Sequence, residues 1–109
     1  MANTFKLKTK ANVGVTTVGI YTAPAATTTV VIGITMANTS GSGVNVGVGI
    51  TRAGTTEDVK LLKNAPIPQG SSLEFMGGNK VVLETTDTLT VDSDRNNSVD
   101  AALTIMEIT

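Results

Sequence analysis

Apolar and polar residues alternate along most of this chain, in short runs that each end at glycine, asparagine, proline or serine. An alternation with a period of two residues is typical of a β-strand that buries one face. The clearest example is the segment 44–51, where Val or Ile alternates with Asn, Gly or Thr. The same pattern predicts two further buried stripes, namely Val30, Ile32, Ile34 and Met36 in one strand and Val99, Ala101, Leu103 and Ile105 in the last strand.

About eight such strands, separated by short turn segments, predict an all-β fold, an antiparallel β-sandwich or jelly roll. No segment sustains the apolar period of about 3.6 residues that marks an amphipathic helix, which argues against a parallel α/β fold. We find no linker and no internal repeat, so residues 1–109 are predicted to form one domain. Residues 1–10 are expected to be an N-terminal arm or an edge strand, and the Gly-Gly-Asn segment at 77–79 a tight turn.

The amino-acid composition supports strands and excludes several kinds of chemistry. Nineteen Thr, 13 Val and 7 Ile make 39 of the 109 residues β-branched, and such side chains pack well on a pleated sheet. The chain has no Cys, His or Trp, which excludes disulfides, thiolate or imidazole zinc sites and Ser-His or Cys-His nucleophile pairs. No spacing of carboxylates or glycines indicates a catalytic pair or a phosphate loop, so we expect no enzyme activity and no cofactor.

Charge and hydropathy narrow the range of partners. Eight Lys and Arg residues against nine Asp and Glu give a formal net charge of −1, without the basic excess that nucleic-acid binding requires. No apolar stretch approaches the roughly 18–20 residues of a membrane span, and the first residues lack the apolar core of a signal peptide. We therefore expect a soluble protein made in a cytoplasm, with neither nucleic acid nor a membrane as its partner.

The one basic run consists of Lys6, Lys8 and Lys10, which alternate with Phe5 and Leu7. This pattern is typical of an edge strand or a half-exposed strand. Lysines on an edge strand prevent unwanted pairing with other sheets. They are also candidates for binding an acidic patch on a partner, and the sequence leaves both interpretations open.

Hard oxygen donors alternate in the segment 92–97, as they do in a calcium loop. Asp92, Asp94 and Asn96 are the candidate ligands. The carboxylate expected at the twelfth position of such a loop is missing, because Leu103 stands there within a predicted strand. A solvated turn, in which Asx side chains bond their own backbone, explains the same residues. We therefore predict no metal site, with these three residues as the weak candidate.

Glycines inside the predicted strands, such as Gly33, Gly47 and Gly49, weaken a strand unless a neighbour packs closely against them. Ordinary bulges and sheet twist are one explanation, and a closely packed second subunit is the other. The chain has only two Phe and one Tyr to anchor a core. This scarcity favours the burial of extra surface in a homo-oligomer, with a trimer among the options.

Two groups of motifs carry a resemblance that covers nearly the whole chain from Phe5 to Thr109. The first group is Tyr-Thr-Ala-Pro-Ala at 21–25, a Thr-rich strand from 27 and Asn-Thr-Ser-Gly at 38–41. The second group is Pro-Gln-Gly-Ser-Ser-Leu at 68–73, Val-Val-Leu-Glu at 81–84 and Asp-Thr-Leu-Thr-Val at 87–91. In this order, the motifs resemble those of small virion structural proteins of tailed bacteriophages of the marine and cyanophage type.

The resemblance implies a β-sandwich that coats or joins parts of a virus particle and has no catalytic residues. We expect a capsid decoration (cement) protein, located in the virion after assembly in the host cytoplasm, whose partners are the major capsid protein or other virion subunits. The alternative is a neck, tail or fibre accessory that mediates attachment through the loops 38–43, 65–70 and 92–98. A carbohydrate-binding module is a further alternative, which the scarcity of aromatic residues disfavours.

Overall fold

The computed structural model describes residues 3–52, 57–75 and 80–109, and these ranges contain nine β-strands and no helix long and apolar enough to cross a membrane. The all-β prediction is confirmed, with one strand more than the estimate of about eight. The turn predicted at 77–79 lies outside the described residues. The strands are β1 (Asn3–Val13), β2 (Val18–Thr22), β3 (Thr28–Asn38), β4 (Val44–Arg52), β5 (Glu57–Ile67), β6 (Ser72–Phe75), β7 (Val81–Leu83), β8 (Thr88–Ser93) and β9 (Val99–Ile108).

The strands form two antiparallel sheets that pack against each other across one core. Sheet A has the order β1-β9-β3-β6, with β7 also paired to β3, and sheet B has the order β2-β8-β4-β5. The first strand thus pairs with the last, and the second pairs with the last but one, which is the arrangement of a jelly roll. β6 and β7 pair with different halves of β3 and together form one interrupted edge of sheet A.

Alternating side chains from both sheets fill the core. The stripes predicted for the segments 44–51 and 99–105 are both buried, because these segments are β4 and β9, at inner positions of the two sheets. The largest fully buried side chains are Ile34, Met36, Ile67, Leu83, Leu89, Leu103, Ile105, Val13, Val31, Val46, Val48 and Val91.

The stripe predicted for β3 is right in one half of the strand and wrong in the other. Ile34 and Met36 are buried as expected, but Val31 faces the core in place of Val30 and Ile32. The register between β3 and β9 shifts between Val31 and Gly33. An inserted residue of this kind exchanges the two faces of a strand, because side chains alternate with a period of two.

Two further expectations are revised at β5 and at its contact with β4. β5 runs through Pro66 to Ile67, although the segment 65–70 was predicted as a loop; β5 is an edge strand, which needs backbone hydrogen bonds on one side only. The glycines of β4 are approached from within the chain. A Cβ atom on Gly49 would lie 2.9 Å from the backbone oxygen of Val59 in the neighbouring strand. The register of β4 and β5 is irregular there, which favours the bulge explanation over a second subunit.

Candidate interaction surfaces

The three lysines of β1 lie on the face of sheet A that looks toward the core. Lys6, Lys8 and Lys10 are paired with Ile105, Leu103 and Ala101 of β9, all of which are buried. β1 is the outer strand of sheet A, so the lysines lie at the open side of the sandwich, where Lys6 keeps 43% of its side chain exposed. Inward-pointing charges of this kind prevent a foreign strand from adding to the edge.

Lys6 already has a partner within the chain. Its Nζ atom lies 2.9 Å from Oε1 of Glu107, a buried residue near the end of β9. Glu107 Oε2 accepts a hydrogen bond of 2.6 Å from the hydroxyl of Tyr21, and this hydroxyl lies 2.8 Å from Oγ1 of Thr29. These bonds join β1, β2, β3 and β9 at one end of the sandwich. Of the three candidate lysines, Lys8 and Lys10 are therefore the ones better placed to meet a partner.

The electrostatics of this cluster follow from burial and hydrogen bonding. Burial raises the pKa of Tyr21 to about 12, and donation of its proton to Glu107 acts in the same direction. The hydrogen bond from Tyr21, followed by the one from Lys6, lowers the pKa of Glu107. This cluster was not predicted from the sequence. The signal was present, because the alternation that places Leu103 and Ile105 in the core also places Glu107 there.

The candidate calcium ligands bind other groups of the protein. Oδ2 of Asp92 accepts a hydrogen bond of 2.9 Å from Thr17, and Oδ1 of Asp94 accepts one of 3.0 Å from the backbone N–H of Asn45. Asn96 packs against the backbone at Gly14. Within residues 3–52, 57–75 and 80–109, no group of three His, Cys, Asp or Glu side chains is placed to hold a metal ion.

The three loops named as candidates for attachment lie together at the end of the sandwich opposite Glu107. Asn38 donates through Nδ2 to the backbone oxygens of Ser42 and Ile67, at 2.8 and 3.0 Å, and so connects the first loop to the second. The backbone N–H of Thr39 donates to the oxygen of Ser98 at 2.8 Å and connects the first loop to the third. We call these three loops, 38–43, 65–70 and 92–98, the loop end.

The outer face of sheet A carries an apolar row that crosses the whole sheet. Phe5 pairs with Met106, Met106 pairs with Val30, and Val30 pairs with Val82, so each of four strands contributes one outward side chain. Phe5 is 69% exposed, Val82 is 53% exposed, and the adjacent Leu7 is 66% exposed. Large exposed apolar side chains in one patch are typical of an interaction surface. We call Phe5, Met106, Val30 and Val82 the apolar row.

The same face is concave toward its other end. Small side chains line a depression of about 350 Å³ there. Its outward side chains are contributed by the three strands β1, β9 and β3. We call this depression the small-residue trough; its outward lining consists of Thr9, Ala11, Thr35, Ala37, Ala102 and the carboxylate Asp100.

The three aromatic residues do not form a sugar-binding platform. Tyr21 is buried in the cluster with Glu107, Phe75 is half-buried, and Phe5 lies in the apolar row. Stacking against a sugar normally uses the exposed face of an aromatic ring. Phe5 is the one ring with most of its surface exposed, and its neighbours are aliphatic rather than polar.

No protein-family model matches this chain, and no curated protein matches it by sequence. Solved structures share its fold. A chain in the acid-stable capsid of Helicobacter pylori bacteriophage KHP30 has a TM-score of 0.60 and 9% identity, over 100% of this chain and 89% of that one. A chain in the capsid asymmetric unit of cyanophage Pam1 has a TM-score of 0.53 and 12% identity, over 96% of this chain and 84% of that one.

Similar folds also occur outside bacteriophage capsids. A chain from the disulfide-linked pili of Bacillus endospore appendages has a TM-score of 0.57 and 14% identity, over 99% of this chain and 87% of that one. A chain of the infectious bursal disease virus particle has a TM-score of 0.57 and 13% identity; the match covers 96% of this chain but 30% of the viral one. This chain thus spans about a third of that viral protein. Identities this low show a shared fold.

Proposed function

We propose that this protein is a non-enzymatic structural component of a bacteriophage virion, and more specifically a decoration protein that binds the assembled head. The proposal rests chiefly on the two-way match with chains of the KHP30 and Pam1 capsids, which covers most of both chains in each case. A jelly roll of about this size therefore occurs in two phage capsids. The resemblance of the sequence motifs to small phage virion proteins points in the same direction.

The structure supports an assembly role more than a catalytic one. The titratable groups with shifted pKa values, Tyr21, Glu107 and Arg52, are each held by structural partners. Arg52 bonds the carboxylates of Glu84 and Asp87 in the turn before β8. In contrast, the outer face of sheet A exposes the apolar side chains of Phe5, Leu7 and Val82. Such a surface gains free energy when another surface covers it.

A decoration protein would act by mass action. A ligand that binds the assembled shell but not its free subunits stabilises the shell by RT ln(1 + [L]/Kd) for each site. Because a shell offers many equivalent sites, a modest affinity at each site adds up over the particle. Lys8 and Lys10, at the open edge of sheet A, are the proposed contacts to an acidic capsid exterior.

A tail, neck or fibre component is the second candidate. The likeness to a chain from Bacillus pili supports it, because that chain belongs to a fibre. The loop end would then be the attachment surface, since the hydrogen bonds of Asn38 and Thr39 hold its three loops together. Copy number separates the two candidates.

The first test is quantitative mass spectrometry of purified particles, with this chain counted against the major capsid protein. A ratio of about one to one, or about one to a few, is expected for a head decoration protein. About a dozen copies or fewer per particle would assign it to the neck or tail. Its absence from purified particles would refute the virion assignment.

The second test addresses the lysine contacts. We expect the double variant Lys8→Glu/Lys10→Glu to reduce occupancy on particles, whereas Lys63→Glu, an exposed charge reversal on β5, leaves it unchanged. Lys6 is kept because its replacement would also break the ion pair with Glu107. Equal occupancy of the double variant and the wild type would refute the lysine contact and leave the virion assignment to the first test.

A further inference from the structure

The apolar row and the small-residue trough lie on one face, at opposite ends of the same strands. Phe5 and Ala11 are both on β1 and six positions apart, which corresponds to about 20 Å along a strand. On the neighbouring strand, Met106 belongs to the row and Ala102 to the trough. The face thus presents the protruding apolar row at one end and the small-residue trough at the other.

This arrangement is self-complementary under a two-fold rotation. We take a two-fold axis that lies in the plane of the face and crosses the strands near Lys8 and Leu103. Rotation about this axis brings the apolar row of one copy over the small-residue trough of the other. Phe5 then lies over Ala11 of the second copy, and Leu7 over Thr9. A two-fold interface is formed by the same patch on both subunits, and each contact occurs twice. We propose that the outer face of sheet A is the interface of a homodimer, in which Phe5 and Leu7 of each copy occupy the small-residue trough of the other.

The size of the face fits this proposal. Four strand positions, spaced about 4.8 Å apart, and eleven residues per long strand give a surface of roughly 700 Å². Stable protein interfaces bury about 800 Å² on each partner. The face alone is therefore close to what a specific dimer requires, and face-to-face packing at about 10 Å is the usual geometry for two sheets.

The charge distribution fits as well. Among the described residues of sheet A, the charged side chains at outward positions are Glu74 and Asp100. Asp100 lies in the trough, where the rotation places Met106 of the second copy over it, and its carboxylate already accepts a hydrogen bond of 3.0 Å from the backbone N–H of Asn12. The centres of protein interfaces are depleted of charged residues. The lysines of β1 lie on the opposite face of that strand and remain free of this contact, so a dimer leaves Lys8 and Lys10 accessible.

A second copy of the chain would contact both the apolar row and the small-residue trough. A different partner would require only one of these two surfaces. The trough is lined mostly by small side chains, and Phe5 and Leu7 are exposed on the same face. The inference goes beyond the proposed function, because it concerns the isolated chain and holds wherever the protein is located.

Sedimentation equilibrium of the purified chain tests the proposal. We expect a species of twice the 11.2 kDa chain mass, and a dissociation constant that rises at least about 30-fold in the variant Phe5→Thr/Leu7→Thr. The matched control is Val15→Thr, which removes an exposed apolar side chain of 55% exposure from the turn after β1. Thermal unfolding of the variants confirms that both remain folded. A dimer that survives the double substitution would refute the interface.

A second experiment tests the symmetry. The chain has no cysteine, so a single Thr104→Cys variant can be cross-linked by a short bis-maleimide only between copies. We expect efficient cross-linking at Thr104, near the proposed axis, and little at Thr16→Cys in the turn between β1 and β2. A monomer at all concentrations would overturn the proposal. If the Phe5→Thr/Leu7→Thr variant of such a monomer also lost particle occupancy, the face would be assigned to a different capsid protein.

Discussion

The hydroxyl of Tyr21 in sheet B donates to Oε2 of Glu107 in sheet A, and the two oxygens are 2.6 Å apart. Both residues are buried, and Lys6 and Thr29 complete the hydrogen bonding around them. A hydrogen bond to a charged acceptor in a water-poor environment is stronger than one at the surface. This bond therefore connects the two sheets directly at this end of the sandwich.

The first prediction concerns the ionisation of Tyr21. It is the only tyrosine, and the chain has no tryptophan, so the absorbance of tyrosinate reports this residue alone. We expect the folded protein to titrate with a pKa of about 12 instead of the ordinary 10.0. Since the folded pKa is raised, the stabilisation is complete below pH 10 and is lost as the pH rises from there through the folded pKa.

Two variants separate the causes of that shift. In Glu107→Gln, the acceptor loses its charge, so the pKa of Tyr21 should fall but remain above 10 because burial is the larger cause. Tyr21→Phe should remove the loss of stability above pH 10. A native protein whose tyrosine titrates near 10 would show that the hydroxyl is not buried as described.

The second prediction concerns acid. Hydrogen bonds from Tyr21 and Lys6 lower the pKa of Glu107. The stabilisation that ionised Glu107 gives to the folded state is therefore complete above the ordinary pKa of 4.5, and it is lost as the pH falls through the lowered pKa. Urea unfolding between neutral pH and pH about 3 should therefore show a smaller loss of stability in Glu107→Gln than in the wild type. Glu74→Gln, an exposed position on β6, is the control and should follow the wild type. If the free energy of unfolding fell by the same amount with decreasing pH in all three proteins, Glu107 would be excluded as a source of acid sensitivity.

The third prediction concerns the glycines of β4. A methyl group at Gly49 would lie 2.9 Å from the backbone oxygen of Val59, which cannot move without breaking the pairing of β4 with β5. We expect Gly49→Ala to lower the free energy of unfolding by about 1–3 kcal/mol, as overpacking does in other cores. Gly41→Ala is the matched control, because nothing lies within 4 Å of its added methyl group, and it should change stability by less than about 0.5 kcal/mol. Equal stabilities would mean that the strands separate easily at this bulge.

The alternation of residues predicts the fold class and two of the core stripes, because β4 and β9 are inner strands whose own alternation is not interrupted. The extra residues at the register shifts lie in the neighbouring strands β5 and β3. The prediction fails at Val30 and Ile32, since a bulge exchanges the faces of β3 and leaves no mark on the hydrophobic pattern. The alternation also does not predict which face of β1 points toward the core. Phe5 and Leu7 point outward because the pairing of β1 with β9 places the lysines on the same face as the buried residues of β9.

The interaction surfaces are less predictable than the fold, because they also depend on how the strands pair. The apolar row consists of one residue from each of four strands that are distant in sequence, so it exists only through their registers. The loop end is similar. Its three segments were predicted as loops, although residue 38 belongs to β3, residues 65–67 to β5 and residues 92–93 to β8. The hydrogen bonds that unite them depend on the strand order of the jelly roll. Glu107 is the exception, because its position in the alternation of β9 already places it in the core.

The last prediction concerns Asn38, which holds the loop end together. It is buried; its Nδ2 donates to the backbone oxygens of Ser42 and Ile67, and its Oδ1 accepts from the N–H and the hydroxyl of Ser40. In Asn38→Asp, the acceptor contacts survive, but a carboxylate oxygen faces two carbonyl oxygens that have lost their donor. We expect the free energy of unfolding to fall by about 2–4 kcal/mol at neutral pH, because buried polar groups are left unsatisfied.

Urea unfolding measures this loss, and Gln69→Glu in the turn after β5 provides the control, since it introduces the same charge at an exposed position of the loop end. The deficit of Asn38→Asp relative to the wild type should shrink as the pH falls, because a protonated carboxyl group can donate to one of the two carbonyl oxygens again. A deficit that does not change with pH would assign the loss to packing around Asn38 instead of the missing donors.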